Sequence, residues 1–204
     1  MERVPGAFFE QETVALARAL LGKQLVTSRR GVVTAGTIVE VEAYLGSGDP
    51  ACHAARGKTP RNAIMFAAPG HCYVYLIYGM YYCVNVVSDP EGVGSAVLVR
   101  AVEPTVGLGT MARRRSAGRV PQRNLARGPG RLCQALAIDR SFSGEHFDTS
   151  SKIWIAGDAR RVPSSHIETT GRIGISLGSE LPLRFSIAGS PWVSGVRSQA
   201  HSAR

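Results

Sequence analysis

Two glutamates, one histidine and a cluster of tyrosines are the side chains here with chemistry to offer. Glu40 and Glu42 stand in Val39-Glu40-Val41-Glu42-Ala43-Tyr44, and His53 follows in Cys52-His53. Five of the six tyrosines fall in Tyr73-Val74-Tyr75-Leu76-Ile77-Tyr78-Gly79-Met80-Tyr81-Tyr82-Cys83-Val84-Asn85. A carboxylate on an otherwise apolar strand can be a general base that activates water. Its bland alternative is a residue on a solvent face. Glu40 is the competing carboxylate, on the same face if the strand is regular, and the one whose loss is expected to be mild. A lone histidine such as His53 is more often structural than catalytic. The tyrosines are strong strand formers, and Tyr75 and Tyr78 around the Gly79-Met80 tip also suit stacking and wedging between nucleobases.

The charge points to a polyanion. Lys+Arg number 24 against Asp+Glu 15, giving a net charge of +9 and a pI of about 9.9. Such excess favours nucleic acid or an anionic membrane. Only Lys23, Lys58 and Lys152 are lysines, so 21 of these are arginines, whose planar fork suits phosphate. Residues 104–138 hold no acidic residue and carry Arg113, Arg114, Arg115, Arg119, Arg123, Arg127 and Arg131. Gly128-Pro129-Gly130 introduces a short helix, Arg131 to Ile138, whose first amides could hold a phosphate. On its own an arginine-rich stretch is a solvated face; in a chain this basic, phosphate binding gains weight.

Other classes recede. No apolar run reaches the roughly 18 residues of a membrane span, and Met1–Gly6 lacks the layout of a secretory signal. A cytoplasmic protein is expected, at the nucleoid if bacterial and in the nucleus if eukaryotic. None of Cys52, Cys72, Cys83 and Cys133 forms a Cys-x-x-Cys pair. Cys52-His53 and His71-Cys72 would place adjacent ligands on zinc, which strains a tetrahedral site. No metal or other cofactor is expected.

The elements that must position these residues follow from spacing. Glu10 to Leu21 predicts a helix ended by Gly22. Gln24–Thr27 and Val32–Tyr44 predict strands, the second bulged near Gly36, with Ile38, Glu40 and Glu42 on one face. Leu45 to Gly70 is rich in Gly and Pro and predicts a long functional loop, with a helical turn around 62–67. Cys72–Tyr78 and Tyr81–Val87 predict a tight hairpin, and Ser95–Glu103 a buried strand. Later strands are expected at Lys152–Ala156 and Leu183–Ile187, and another around Arg172–Ile175. The fold class is α+β: one domain spanning 1–204, ordered over about 8–194, with a mixed, mostly antiparallel curved sheet, surrounding helices, a protruding β-hairpin and a frayed tail.

Over nearly the whole chain the sequence resembles the alkyladenine (3-methylpurine) DNA glycosylases. The resemblance rests on Val39–Gly46, His53, Thr59-Pro60-Arg61-Asn62, Tyr73–Tyr81, Val97-Leu98-Val99-Arg100-Ala101, Gly128–Leu136 and Gly189-Ser190-Pro191-Trp192-Val193. It implies that Glu42 activates water and that Arg100 helps hold it. It implies that Tyr44, His53 and Tyr75 sandwich a flipped base and that Tyr78 fills the vacated stack. Asn85 becomes the pocket floor that crowds the 2-amino group of guanine. Ile175 stands where the family has an aliphatic residue whose carbonyl contacts the water. Met80 at the tip, with Arg113, Arg114, Arg115 and Arg131, completes the expected DNA contacts.

The chemistry implied is hydrolysis of an N-glycosidic bond through an oxocarbenium-like sugar. A Schiff-base lyase would need a placed amine, and no lysine lies in a motif that supplies one. The expected protein is a monomeric, monofunctional glycosylase acting on duplex DNA. Its candidate lesions are 3-methyladenine, 7-methylguanine, hypoxanthine and ethenoadenine. Two other classes compete: a non-catalytic nucleic-acid-binding module, and a metal-dependent nuclease built on Glu40, Glu42 and His53.

Overall fold

One long strand and its irregularities organise the sheet. The computed structural model describes residues 2–115, 119–158 and 161–195; the tail expected to fray, from Val196 on, lies outside them. Strand β1 (Gln24–Arg29) pairs with the first half of β2 (Val32–Tyr44). The hairpin is β3 (Cys72–Ile77) and β4 (Tyr81–Ser88), followed by β5 (Ser95–Val106). Short strands β6 (Ile153–Ala156), β7 (Ile167–Thr170) and β8 (Arg184–Ile187) complete the set. The order is β3-β4-β5-β2-β1-β6, with β8 pairing the second half of β2 and β7 pairing β8. Every pairing of these strands is antiparallel, so the expected mixed sheet has no parallel pair among the described residues.

The bulges in β2 decide where the glutamates point. Against β5 the register slips between Ala35 and Gly36, and again between Ile38 and Val41. A bulge bends a strand and re-aims its side chains. Ile38 therefore joins Val41 and Ala43 in the main core, instead of sharing a face with Glu40 and Glu42. On β5 the residue passed over by the slip is Arg100, between Val99, opposite Val41, and Ala101, opposite Glu40.

Among the described residues three α-helices pack on the sheet: α1 (Thr13–Leu20), α2 (Leu108–Arg114) and α3 (Pro129–Leu136). Helix α1 starts three residues later than its apolar spacing predicts. A 3-10 turn occupies Gly6–Phe9, and Asp89 accepts from the Thr13 amide at 3.1 Å and its hydroxyl at 2.6 Å, which caps the helix there. Leu16, Ala17 and Leu20 are its buried face. Helix α2 is unforeseen, because its arginine-rich sequence gives the core only Met111. The strand expected around Arg172–Ile175 is instead a loop, and β7 lies just upstream. A side chain at Gly171 would come 2.2 Å from the Ser179 carbonyl, so the chain turns back on itself there. No helix among the described residues is long and apolar enough to cross a membrane.

Candidate active site

Glu42 is closed to solvent and held by three donors. Its Oε2 accepts the Tyr44 hydroxyl at 2.9 Å and lies 3.0 Å from Arg100 Nη1. Its Oε1 accepts the Ile173 amide at 2.7 Å. Burial first, then the Glu42 charge, pushes the Tyr44 phenol far above its ordinary pKa, so Tyr44 remains a donor. Arg100 stays charged: burial works to lower its pKa, and Glu42 and Glu40 more than offset this.

Glu40 is equally buried and is not a bystander. Its Oε1 accepts from Arg100 Nε at 3.0 Å, Arg184 Nε at 2.7 Å and the Ser194 hydroxyl at 2.9 Å. Its Oε2 accepts the Ser194 amide at 2.5 Å. Two carboxylates and two guanidiniums thus form a charge-balanced buried cluster, supplied by β2, β5 and β8. Sequence reasoning missed Arg184 and Ser194. The available signal was strand pairing, which sets Arg184 across from Glu42.

In front of this cluster lies a cavity of about 370 Å³, a size that suits a small flat ligand. Tyr44, His53, Tyr75, Asn85, Arg100 and Ile175 all line it, with Tyr78 at its rim side and Ile173 beside Arg100. Glu42 itself stands behind this wall and is reached through Tyr44, Arg100 and Ile173. Ile175 lines the cavity as expected of a site residue, and Ile173, two residues earlier, is a further backbone contact of the cluster. Ile173 donates to Glu42, and its carbonyl accepts from Arg100 Nη1 at 3.3 Å.

The aromatic residues are held by one another. The His53 and Tyr75 rings meet edge to face at 4.5 Å, and His53 Nδ1 is 3.0 Å from the Tyr73 hydroxyl. Burial, then the charge of Arg61, holds the His53 imidazole below its ordinary pKa, which favours the neutral ring. Asn85 is buried, lines the cavity and donates its amide N–H to the Tyr73 carbonyl at 2.9 Å. At the hairpin tip Tyr78 and Gly79 both have left-handed backbones, φ 52° and 69°. For a tyrosine this is a strained conformation, and it leaves Tyr78 77 % and Met80 64 % exposed.

A second, basic hollow adjoins the cavity and shares Arg100, Tyr81, Pro129, Gly130 and Ile173 with it. Arg115, Arg123, Arg127 and Arg131 line it, and no carboxylate among the described residues does. The expected arginine contacts therefore divide. Arg115 and Arg131 reach the hollow, whereas Arg113 and Arg114 do not. Arg114 is turned inward, donating to Thr34 at 3.2 Å and to the Ala135 carbonyl at 3.0 Å, and Arg113 lies exposed against Thr110.

A buried carboxylate behind an aromatic slot, with a cationic trough alongside, is the equipment of a hydrolase acting on a flat ring carried by a polyanion. The comparisons narrow the class. A family model described as methylpurine-DNA glycosylase matches residues 7–191. A protein of Methanoculleus marisnigri is 49% identical over 192 residues, covering 94% of this chain and 98% of its own. One of Chlorobaculum parvum is 46% identical over 198 residues, covering 97% and 93%. One of Burkholderia orbicola is 45% identical over 193 residues, covering 95% and 91%. All three carry 3-methyladenine DNA glycosylase as a provisional name. The chain belongs to the methylpurine-DNA glycosylase family, hydrolases of N-glycosyl bonds.

Proposed function

We propose that this protein flips an alkylated or deaminated purine out of duplex DNA into the cavity and hydrolyses its N-glycosidic bond, leaving an abasic site. The observation that carries this reading is Glu42 behind Tyr44, Arg100 and Ile173 at the back of an aromatic slot. An ionised carboxylate offers about four acceptor positions, and those three donors occupy three of them. The fourth takes the attacking water, admitted along the wall formed by Arg100 and Ile173. The water oxygen bonds to C1′, its proton passes to Glu42, and the N9–C1′ electron pair leaves with the base. An N-alkylated purine departs neutral because it began as a cation, whereas a neutral purine such as hypoxanthine leaves as its N9 anion and takes a proton from solvent water. The negative charge of Glu42 also stabilises the developing positive sugar, as in other glycoside hydrolyses.

Tyr44, His53 and Tyr75 grip the base by its π-face, which every purine has. Asn85 supplies the discrimination at the floor. Tyr78 enters the stack that the base has left, and Arg115, Arg123, Arg127 and Arg131 take phosphates of the flanking backbone. The test is a panel of duplexes carrying 3-methyladenine, 7-methylguanine, hypoxanthine or ethenoadenine. Release of free base, leaving an alkali-labile site in an otherwise intact strand, is the expected outcome. Direct strand breaks suppressed by a chelator would favour the nuclease, and binding without release the non-catalytic module.

A further inference from the structure

Arg172 and Asp49 lie wholly inside the protein, outside the charge cluster just described. Arg172 Nη1 meets Asp49 Oδ2 at 2.5 Å and Nη2 meets Oδ1 at 2.7 Å, and both side chains are 0% exposed. A buried ion pair carries a heavy desolvation penalty, and apolar residues of similar volume often serve stability as well. Its neighbours show what else it does.

Asp49 Oδ2 accepts the Leu45 amide at 3.1 Å, and Oδ1 accepts the Ala51 amide at 3.0 Å. The pair therefore ties down the loop that carries Ala51 and His53 into the cavity. Arg172 Nη1 also donates to the Ala43 carbonyl at 3.0 Å, and Nη2 to the Gly178 carbonyl at 3.2 Å. Its guanidinium carbon lies 4.7 Å from the centroid of the Tyr44 ring. Tyr44 lines the cavity and Arg172 does not, so the guanidinium supports the ring from behind. The next residue, Ile173, gives its amide to Glu42. One ion pair thus touches the strand end bearing Glu42 and Tyr44, the loop bearing His53, and the segment that closes on Glu42.

We propose that Asp49 and Arg172 are a positioning pair that fixes the plane of the Tyr44 ring, so that the cavity grips a flipped purine. This rests on the reading of Tyr44 as a stacking wall. Arginine suits the task because its flat, rigid fork can pair bidentately and stack at once. Lysine keeps the charge but has neither the plane nor the fork.

The experiment compares two duplexes. One carries ethenoadenine on a 2′-fluorinated sugar, which resists hydrolysis. The other carries a tetrahydrofuran site, which has no base to stack. Arg172→Lys is expected to bind the base-bearing duplex up to about thirtyfold more weakly, the scale of a desolvated cation–π contact, and to leave tetrahydrofuran binding unchanged. In a Tyr44→Leu background the same substitution should have no further effect on the ratio, since it acts through that ring. Equal loss on both duplexes would make the pair purely structural and overturn the proposal. An unchanged ratio in a folded Arg172→Lys would do the same. If that variant does not fold, Asp49→Asn, which keeps the shape of the site, must show the same selective loss. A wild-type protein with no preference for the base-bearing duplex would instead overturn the stacking reading, and the role of the pair with it.

Discussion

Glu40 takes its donors from Arg100, Arg184 and Ser194, while Glu42 takes its from Tyr44, Arg100 and Ile173. The sequence makes the two look interchangeable, and the loss of Glu40 look mild. Burial adds a cost in stability that the sequence does not show. Removing one charge from a buried cluster leaves the others uncompensated, which costs about 3–5 kcal/mol. Glu40→Gln should therefore lower the denaturant midpoint clearly and slow excision, because Arg100 loses one of its two carboxylate partners. A midpoint equal to wild type would show that Arg184 and Ser194 hold the site without Glu40. Asn85 carries a prediction about selectivity. Hypoxanthine differs from guanine chiefly by lacking the 2-amino group, and stacking cannot see that edge. Asn85 lines the cavity with one amide N–H committed to Tyr73. Asn85→Ser should admit guanine and raise its slow excision from mismatched DNA more than it lowers hypoxanthine release. A competition assay with an unchanged ratio of the two would remove Asn85 from the discrimination.

Several elements were legible in the sequence because their periods are clean. The hairpin of β3 and β4, the length of β2 and the late strands β6 and β8 follow from alternation and turn residues. What sequence could not show was the bulge in β2, a register effect between strands far apart in the chain. That bulge moves Ile38 into the core and leaves Arg100 passed over between Val99 and Ala101, from where it reaches both glutamates. The contact of Ile173 with Glu42 escaped notice for a related reason: the segment is a loop fixed by Gly171 and Arg172, so strand alternation gives no guide. At the hairpin, Tyr78→Ala should reduce extrusion of a fluorescent base analogue more than it reduces affinity for undamaged duplex. Unstacking costs a few kcal/mol and needs a residue to fill the gap. Equal losses on both would make Tyr78 a general contact. Beside the hairpin, alanine at Arg115, Arg123 and Arg131 should flatten the salt dependence of non-specific binding by about 0.9 in log–log slope for each phosphate no longer neutralised. Arg114→Ala should weaken packing against Thr34 and Ala135 instead. The reverse pattern would move the DNA path away from the basic hollow.

Across the whole molecule, buried charge links stability to pH. Burial works to raise the Asp49 pKa, but the Arg172 hydrogen bond and the Leu45 and Ala51 amides bring it below its ordinary value. A carboxylate depressed in the folded state contributes stability above its unfolded pKa, about 4. That contribution is lost as pH falls through the folded value. Acid unfolding should therefore steepen below about pH 4, and Asp49→Asn should show a shallower dependence across that range from a lower starting stability. An identical pH profile in the two proteins would mean that Asp49 is not ionised in the fold. The net charge of +9 was visible in composition, and it correctly pointed to a polyanion. Composition could not divide the arginines between Arg172 and Arg184, which hold the interior, and Arg123 and Arg131, which face outward. That division depends on which carboxylates the fold buries.

The central claim is that Glu42 performs the hydrolysis, and single-turnover excision by Glu42→Gln tests it most directly. The substitution keeps the size of the side chain and removes the base. On a duplex that the wild-type protein cleaves, the rate should fall by at least the 10²- to 10⁴-fold typical of a lost general base, while affinity for that duplex stays within a few-fold. A Glu42→Gln protein that excises at the wild-type rate would contradict the account.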